Sequence, residues 1–219
     1  MMQFTLWDML SNLLLAARWT LGLTLLAFAC GGAAGLALLA LRVGPYRPGK
    51  AAAKLYIEAF QGTPLLMQLF LVFFGLPLVG VEVSPWLAAG VCLTLYASAY
   101  LGEIWRGCVE AIPKGQWDAG AALGLHFLGQ LRLVILPQAL RVAIPPTVGF
   151  LVQLLKSTAV TSVIGFRELT RIGEIMTNAT FRPFAVYGLV ALIYFVMCSP
   201  LTAYARSLER RLGSRSQRA

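Results

Sequence analysis

The sequence is poor in charged residues. Asp, Glu, Lys and Arg make up only 12% of its 219 residues, about half the share that soluble domains carry. Hydrophobic residues make up 58% of the chain, and the mean hydropathy is +0.75. This composition excludes a soluble domain built around one core and predicts an integral membrane protein.

Residues and motifs that commonly act in catalysis, metal binding or phosphate binding are also scarce. His126 is the only histidine, and no nucleophile–base pair accompanies it, which argues against a membrane enzyme. The sequence has no Gly-x-x-x-x-Gly-Lys-[Ser/Thr] phosphate loop, so the chain is not expected to hydrolyse ATP or to bind a cofactor itself. The cysteines lack metal-ligand spacing and are expected to serve as small apolar side chains; they are Cys30, Cys92, Cys108 and Cys198.

Long apolar runs dominate what is present. Each is close to the roughly 20 residues that a membrane helix needs, which predicts an all-α membrane protein with about five spans in one transmembrane domain, residues 1–219. The spans are expected near residues 19–41, 55–78, 86–105, 139–164 and 184–204. Pro145 and Pro146 are expected to disturb the fourth span.

The net charge of +9 is distributed in a way that favours topology and lipid contact over nucleic-acid binding, because the basic residues flank the apolar runs. If the N-terminus lies outside and the C-terminus lies in the cytoplasm, thirteen basic residues lie on the cytoplasmic side and four on the outer side. This excess of Lys and Arg on the cytoplasmic side is what the positive-inside rule requires. The inner set is Arg42, Arg47, Lys50, Lys54, Arg106, Lys114, Arg132, Arg141, Arg206, Arg210, Arg211, Arg215 and Arg218, and the outer set is Arg18, Arg167, Arg171 and Arg182.

A polar stretch, residues 107–137, separates the third and fourth predicted spans and lies in the cytoplasm in this orientation. Pro113 is suited to open a helix, the apolar residues from Trp117 onward recur at helical spacing, and Gly124 is suited to end the helix. A second, shorter helix is expected from Phe127 to Pro137. The stretch therefore predicts a short helical projection that meets a partner in water.

This stretch resembles the EAA loop of permease subunits of ABC importers. Asp118-Ala119-Gly120, Gly124, Val134 and Leu136-Pro137 keep the spacing of that pattern, with Asp for Glu, Gly for the second Ala and Val for Ile. The Gly is expected to loosen the helix by about 1 kcal/mol relative to Ala. The resemblance implies contact with an ATPase through Ala111, Pro113, Gly115, Asp118, Ala119, Ala122, Gly124 and Pro137.

Three further segments resemble the polar amino-acid branch of the same type I superfamily. They are Gln61-Gly-Thr63-Pro64-Leu-Leu-Met-Gln68, Glu103-Ile-Trp-Arg106-Gly-Cys108 and Lys156-Ser157-Thr158. Gln61, Cys108 and Ser157 depart from the usual Arg, Gly and Asp. A substrate pathway is expected at Thr63, Gln68, Glu103, Lys156 and Thr158. The structural alternatives are a simple kink at Pro64, a helix-end salt bridge of Glu103 with Arg106, and outward snorkelling of Lys156.

The resemblance also implies partners and a location in the bacterial cytoplasmic (inner) membrane. It implies cytoplasmic ABC ATPase subunits, which carry ATP and Mg, a second permease subunit, identical or similar, and an extracytoplasmic amino-acid-binding protein. Residues 167–183 mix charge with apolar residues at helical spacing and predict an amphipathic helix on the outer surface where that protein docks. The rival interpretation is an ion-coupled secondary transporter or channel using Glu58, Glu103 and Lys156, although the internal repeats typical of such folds are not found.

Overall fold

The computed structural model describes the backbone of residues 5–216 and the side chains of residues 5–210. The two ends of the predicted 1–219 domain, and the side chains of Arg211, Arg215 and Arg218 from the charge count, therefore lie outside the described residues. Within them the chain forms eight helical segments. They are α1 (Leu6–Val43), α2 (Arg47–Gly62), α3 (Leu65–Leu78), α4 (Pro85–Glu110), α5 (Lys114–Ala122), α6 (Phe127–Ile164), α7 (Leu169–Thr180) and α8 (Pro183–Ser216).

Four of these helices are long and apolar enough to span a membrane by themselves, namely α1, α4, α6 and most of α8. The pair α2 and α3 together passes the same test as one broken span. The prediction of an all-α fold with about five spans is confirmed, and the second span bends at Pro64, where the sequence indicates a kink.

The first span begins earlier than residue 19, where the sequence analysis placed it. Thr5 and Asp8 form a reciprocal capping box, in which the Asp8 amide donates to Thr5 Oγ1 at 3.2 Å and the Thr5 amide donates to Asp8 Oδ2 at 3.0 Å. This cap satisfies free amide groups of the first turn. Asp8 thus helps α1 to begin at Leu6, whereas the first span was predicted to begin near residue 19.

The second span, predicted as one helix over residues 55–78, is broken between Gly62 and Leu65, and its two halves are bent by 103°. Pro64 disfavours helical backbone at the residue before it, and Thr63 is extended with φ −118° and ψ 143°. Gln61 donates from Nε2 to the carbonyl of Ala99, near the middle of α4. The break therefore lies level with the middle of α4.

Small residues let α1 and α4 run side by side in close contact. A Cβ at Gly31 would lie 2.6 Å from Ala97 Cβ, and one at Gly35 would lie 3.2 Å from the Gly102 amide nitrogen. Such close approach is typical of membrane helices, which gain packing energy from small residues. This pair forms the frame on which the other helices pack.

The fourth span is longer than predicted, because α6 is continuous from Phe127 to Ile164. The expected short helix ending at Pro137 is wrong: one wide turn of π-type helix, Leu131–Ile135, precedes Pro137, and the helix continues through it. A wide turn of this kind relieves the helix of the hydrogen bond that proline cannot make. Pro145 and Pro146 also lie inside the helix without ending it.

The amphipathic helix predicted from residues 167–183 is present as α7. Leu169 and Met176 are buried in a cluster with the start of α1 and the first turns of α8, whereas Ile175 is exposed. The helix therefore packs its apolar face on the end of the bundle opposite to α5.

Candidate functional site

Three contacts hold α5 against the start of α6. The rings of Trp117 and Phe127 stack with centroids 6.0 Å apart. Gln138 donates from Nε2 to Gln116 Oε1 at 3.1 Å. Gly120 is buried, and a Cβ there would lie 3.0 Å from Gln130 Cγ. The sequence predicts that Gly120 loosens α5. In the structure, Gly120 leaves room for the side chain of Gln130.

The end of α5 is closed by a Schellman motif. Leu125 donates its amide to the Gly120 carbonyl at 3.1 Å, and Gly124 donates to the Ala121 carbonyl at 2.9 Å. Gly124 has φ +75°, a left-handed conformation that costs other residues about 1–2 kcal/mol. Gly124 is therefore the helix-ending residue that the sequence predicted.

All eight residues predicted to contact an ATPase are exposed. Most are glycine, alanine or proline, which let a partner's surface approach the backbone closely. Leu123, which the sequence analysis did not name, lies next to Gly124 and is 80% exposed. We call this exposed face of α5 and its flanking turns the coupling surface.

The coupling surface is attached to the spans by a buried apolar cluster. Val109 and Ile112, at the end of α4, pack with Ile135 and Ala139 of α6, and Trp117 of α5 packs against them. This packed cluster therefore joins α5 to the end of α4 and to α6.

Residues 31–214 match the family of binding-protein-dependent transport system inner membrane components. The chain belongs to this family. It is thus a membrane-spanning permease subunit of an ABC importer, and the ATPase is a separate subunit. Because the chain belongs to this family, it is an importer subunit and not the ion-coupled secondary transporter of the rival interpretation.

Relatives with high coverage are transport-system permeases. The chain is 35% identical to the L-cystine transport system permease protein TcyB of Bacillus subtilis, over 97% of this chain and 90% of that protein. It is also 35% identical to the glutamine transport system permease protein GlnP of Escherichia coli, over 96% and 99%. A crystal structure of an amino acid ABC transporter with histidines superposes with a TM-score of 0.89 at 35% identity, over 96% of this chain and all of the other.

Two of the predicted pathway residues of this permease meet at the break in the second span. Gln68 donates from Nε2 to Thr63 Oγ1 at 2.9 Å and to the carbonyl oxygens of Phe60 and Thr63. Thr63 donates in turn to the Ala59 carbonyl at 2.7 Å. The Gln68 carbonyl oxygen, Oε1, is buried and has no hydrogen-bond partner among the described residues. The break thus has a free acceptor beside it.

Glu103 lies one helical turn after Ala99, the α4 residue whose carbonyl accepts a hydrogen bond from Gln61 beside the break. Arg106 holds its carboxylate with two hydrogen bonds, of 2.9 and 2.6 Å, and Arg42 of α1 lies 3.7 Å away. Arg106 also pairs with Glu110. The predicted pairing of Glu103 with Arg106 is confirmed, and Arg42 extends it into a link between α1 and α4.

The last two predicted pathway residues are neighbours in sequence but differ in environment. Lys156 is exposed on α6, whereas the Thr158 side chain is fully buried and donates to the Leu155 carbonyl at 2.7 Å. One turn before Lys156, Gln153 donates from Nε2 to the Tyr96 hydroxyl at 3.0 Å. The structure thus joins Thr63 with Gln68 by a hydrogen bond, whereas the hydrogen bonds described for the side chains of Glu103 and Thr158 go to Arg106 and Leu155.

One polar group that the sequence analysis did not single out lies at the start of α7. Glu168 is fully buried, receives a 2.8 Å hydrogen bond from the Arg171 amide and a 2.9 Å hydrogen bond from the Tyr194 hydroxyl, and lies 3.5 Å from Thr20 Oγ1. Burial raises the pKa of the Glu168 carboxyl above its ordinary value. Glu168 therefore ties α7 to α1 and α8. Its sequence signal, a Glu before a helical Leu-Thr-Arg, is typical of an ordinary helix cap.

Proposed function

We propose that this permease imports a polar amino acid that an extracytoplasmic binding protein delivers. The support comes from the relatives, whose names cover cystine and glutamine, and from the related amino acid transporter structure. Relatives of similar identity differ in their amino acid, so the proposal specifies the class of substrate and leaves its identity to experiment.

The observation that carries the proposed mechanism is the geometry of the coupling surface. Its residues are exposed, while Trp117, Gly120 and Gln116 fasten the same helix to α6. In this mechanism, ATP binding closes two cytoplasmic ATPase subunits, and each pulls on α5. The buried cluster at Ile112 and Ile135 passes the movement to α4 and α6, so that the spans alternate access.

The proposed pathway starts from the break in the second span. Irregular backbone at membrane depth is stable only when it is buried in protein or lines a water-filled space, and Thr63 and Pro64 are exposed in this subunit. Gln68 Oε1 offers a neutral acceptor to a substrate ammonium group, and Lys156 offers a cation to its carboxylate. Both groups suit a pathway, since transient contacts let the substrate leave.

Glu103 and Thr158 have indirect roles in this proposal. The carboxylate of Glu103 is already bound by Arg106 and Arg42, which suits a gate at the cytoplasmic end better than a substrate contact. Thr158 is buried and meets substrate only if α6 moves away from its neighbours during the transport cycle.

The remaining assignments concern assembly and orientation. A broken span with exposed polar backbone needs a second permease subunit, identical or similar, to close the pathway. The N-terminus lies outside and the C-terminus in the cytoplasm, which places α5 on the ATPase side and α7 on the side of the binding protein.

The test is to purify the permease with its ATPase, reconstitute both in lipid vesicles and measure ATP hydrolysis. We expect hydrolysis to rise when the binding protein and its amino acid are both present, and labelled amino acid to accumulate only with ATP. Uptake that continues without ATP and follows an ion gradient instead would contradict the proposal.

A matched pair of variants separates coupling from folding. Asp118→Arg changes the exposed face of α5, whereas Gly22→Ala changes a position in α1 at which a Cβ would meet nothing within 4 Å. We expect the first to reduce co-purification of the ATPase and the second to leave it unchanged. Equal co-purification of both variants would remove α5 from the contact.

A further inference from the structure

An aromatic cluster lies between α1 and the first turn of α4, on the side of the bundle away from the coupling surface. Trp19 and Trp86 meet edge to face with centroids 6.0 Å apart, and Trp86 stacks on Phe166 at 5.2 Å. Trp86 is at the first turn of α4, where that span enters the membrane. The two indoles are 45% and 42% exposed, so the cluster forms part of the surface at a membrane interface.

Two arginines flank this pair of indoles. The Arg18 guanidinium lies 5.5 Å from the centre of the Trp19 ring, and Arg167 borders a second hollow formed by Trp19, Trp86 and Phe166. Neither arginine has a carboxylate oxygen within 4.0 Å in the part of the chain that the structure describes. Glu168, the neighbour of Arg167, turns its carboxylate inward to Tyr194. Both cations are therefore available to an external anion.

An apolar groove continues from the arginines along α1 and α4. The hollow beside Arg18 has a volume of about 520 Å³ and includes Leu26 and Trp86. The same two residues begin a groove of about 440 Å³ that passes Gly90 and Val91. Cations, aromatic rings and an apolar trough thus follow one another from the interface toward the membrane interior.

We propose that this surface is a binding site for an anionic phospholipid, with its phosphate between Arg18 and Arg167 and an acyl chain along the groove beside Leu26 and Gly90. Guanidinium groups bind phosphate oxygens with paired hydrogen bonds, and the groove offers the chain an apolar surface. An interfacial belt of aromatic residues accounts for the two indoles alone. It does not account for two unpaired arginines at the head of a groove. The proposal requires only that the chain spans a membrane, and it does not depend on the transported substrate.

The probes are dioleoyl phosphatidylglycerol and dioleoyl phosphatidylcholine, which share their acyl chains and differ in net charge. The complex of permease and ATPase is equilibrated with each lipid in detergent micelles, and bound lipid is counted by native mass spectrometry. We expect selective retention of phosphatidylglycerol. Each arginine near a membrane surface contributes about 1 kcal/mol toward an anionic lipid. The double variant Arg18→Gln/Arg167→Gln is therefore expected to weaken that retention about 30-fold, and each single variant about 5-fold.

Two controls locate the site. Arg182→Gln removes another exposed arginine outside the groove and is expected to leave retention unchanged. Gly90→Leu adds a side chain where a Cβ would lie 3.6 Å from Leu26; it is expected to displace the acyl chain and lower retention with both arginines in place. Glycerol 3-phosphate, which carries the phosphate without chains, is expected not to compete at millimolar concentration.

Several results would overturn the proposal. One is wild-type retention of phosphatidylglycerol by the double arginine variant, and another is an equal loss with Arg182→Gln. Equal retention of phosphatidylcholine would show a general apolar surface. A loss of the paired permease in the double variant, with lipid counts unchanged, would assign the groove to a subunit contact instead. Competition by glycerol 3-phosphate would make it a site for a soluble phosphate.

Discussion

Substitutions at Gly124 test whether the coupling surface works through its shape, its exposed contact, or both. Gly124 has φ +75°, and a Cβ at this position would meet no atom of the chain within 4 Å. Within the chain, Gly124→Ala therefore changes only the backbone conformation. Gly124→Trp has the same backbone cost and also places an indole beside Leu123, on the face proposed to meet the ATPase.

The structure sets the expected magnitudes. A left-handed conformation costs an L-residue about 1–2 kcal/mol, which corresponds to at most about 5- to 30-fold in the population of the closed turn. The turn keeps other support, since Gln130 donates from Nε2 to the Leu125 carbonyl at 2.7 Å and Trp117 stacks on Phe127. Gly124→Asn is expected to resemble the wild type, because Asn adopts this conformation at little cost. Gly124→Ala is expected to show a partial loss.

The assay is ATP hydrolysis by the reconstituted complex, with and without the binding protein and its amino acid. We expect Gly124→Trp to insert normally and to lose stimulation by about tenfold more than Gly124→Ala, equivalent to about 1.4 kcal/mol. Uptake of labelled amino acid should fall in parallel. Normal transport by Gly124→Trp in vesicles would refute the assignment of coupling to this surface. Equal losses with Ala and Trp would show that only the shape of the turn matters.

Three further predictions follow from the same structure. A reporter that works only in the cytoplasm should be active when fused after Ala219, and activity of a periplasm-specific reporter there would refute the proposed orientation. Glu103→Gln and Lys156→Met, each corrected for the amount of assembled complex, should reduce uptake far more than insertion; wild-type uptake by both would leave salt bridging and snorkelling as the better account. Burial raises the pKa of the Glu168 carboxyl above its ordinary value of 4.5, so the folded state holds that proton more tightly than the unfolded state. Its contribution to stability is therefore complete below pH 4.5 and is lost as the pH rises through the folded-state pKa. Glu168→Gln should remove this component from the pH dependence of the melting temperature, and identical pH profiles of the two proteins would contradict it.

Local features of the chain could be predicted because their causes lie close together in sequence. The end of α5 at Gly124 needs only a glycine and hydrogen bonds that reach five residues back. The pairing of Glu103 with Arg106 needs only three residues of helix. Alternation of apolar runs with basic flanks likewise gave the number of spans, since membrane thickness fixes their length.

Features that depend on neighbours were predicted less well. Pro64 indicated a kink, but the 103° bend also involves α4, where the Ala99 carbonyl accepts a hydrogen bond from Gln61. Pro137 and Pro145 seemed to limit α6. A wide turn before the first, and packing around the second, let the helix continue.

The sequence by itself determined the class of the protein, the position of its coupling helix and the approximate number of its spans, because hydropathy, charge and capping act over short stretches of chain. Only the tertiary structure decided that Gly120 admits Gln130, that Glu168 is buried against Thr20 from 148 residues away, and that Arg18 and Arg167 border the same pair of indoles. Each of these depends on side chains brought together from distant helices. The effect of each of these residues depends on its neighbours in space, and the packing of the helices determines which residues those neighbours are.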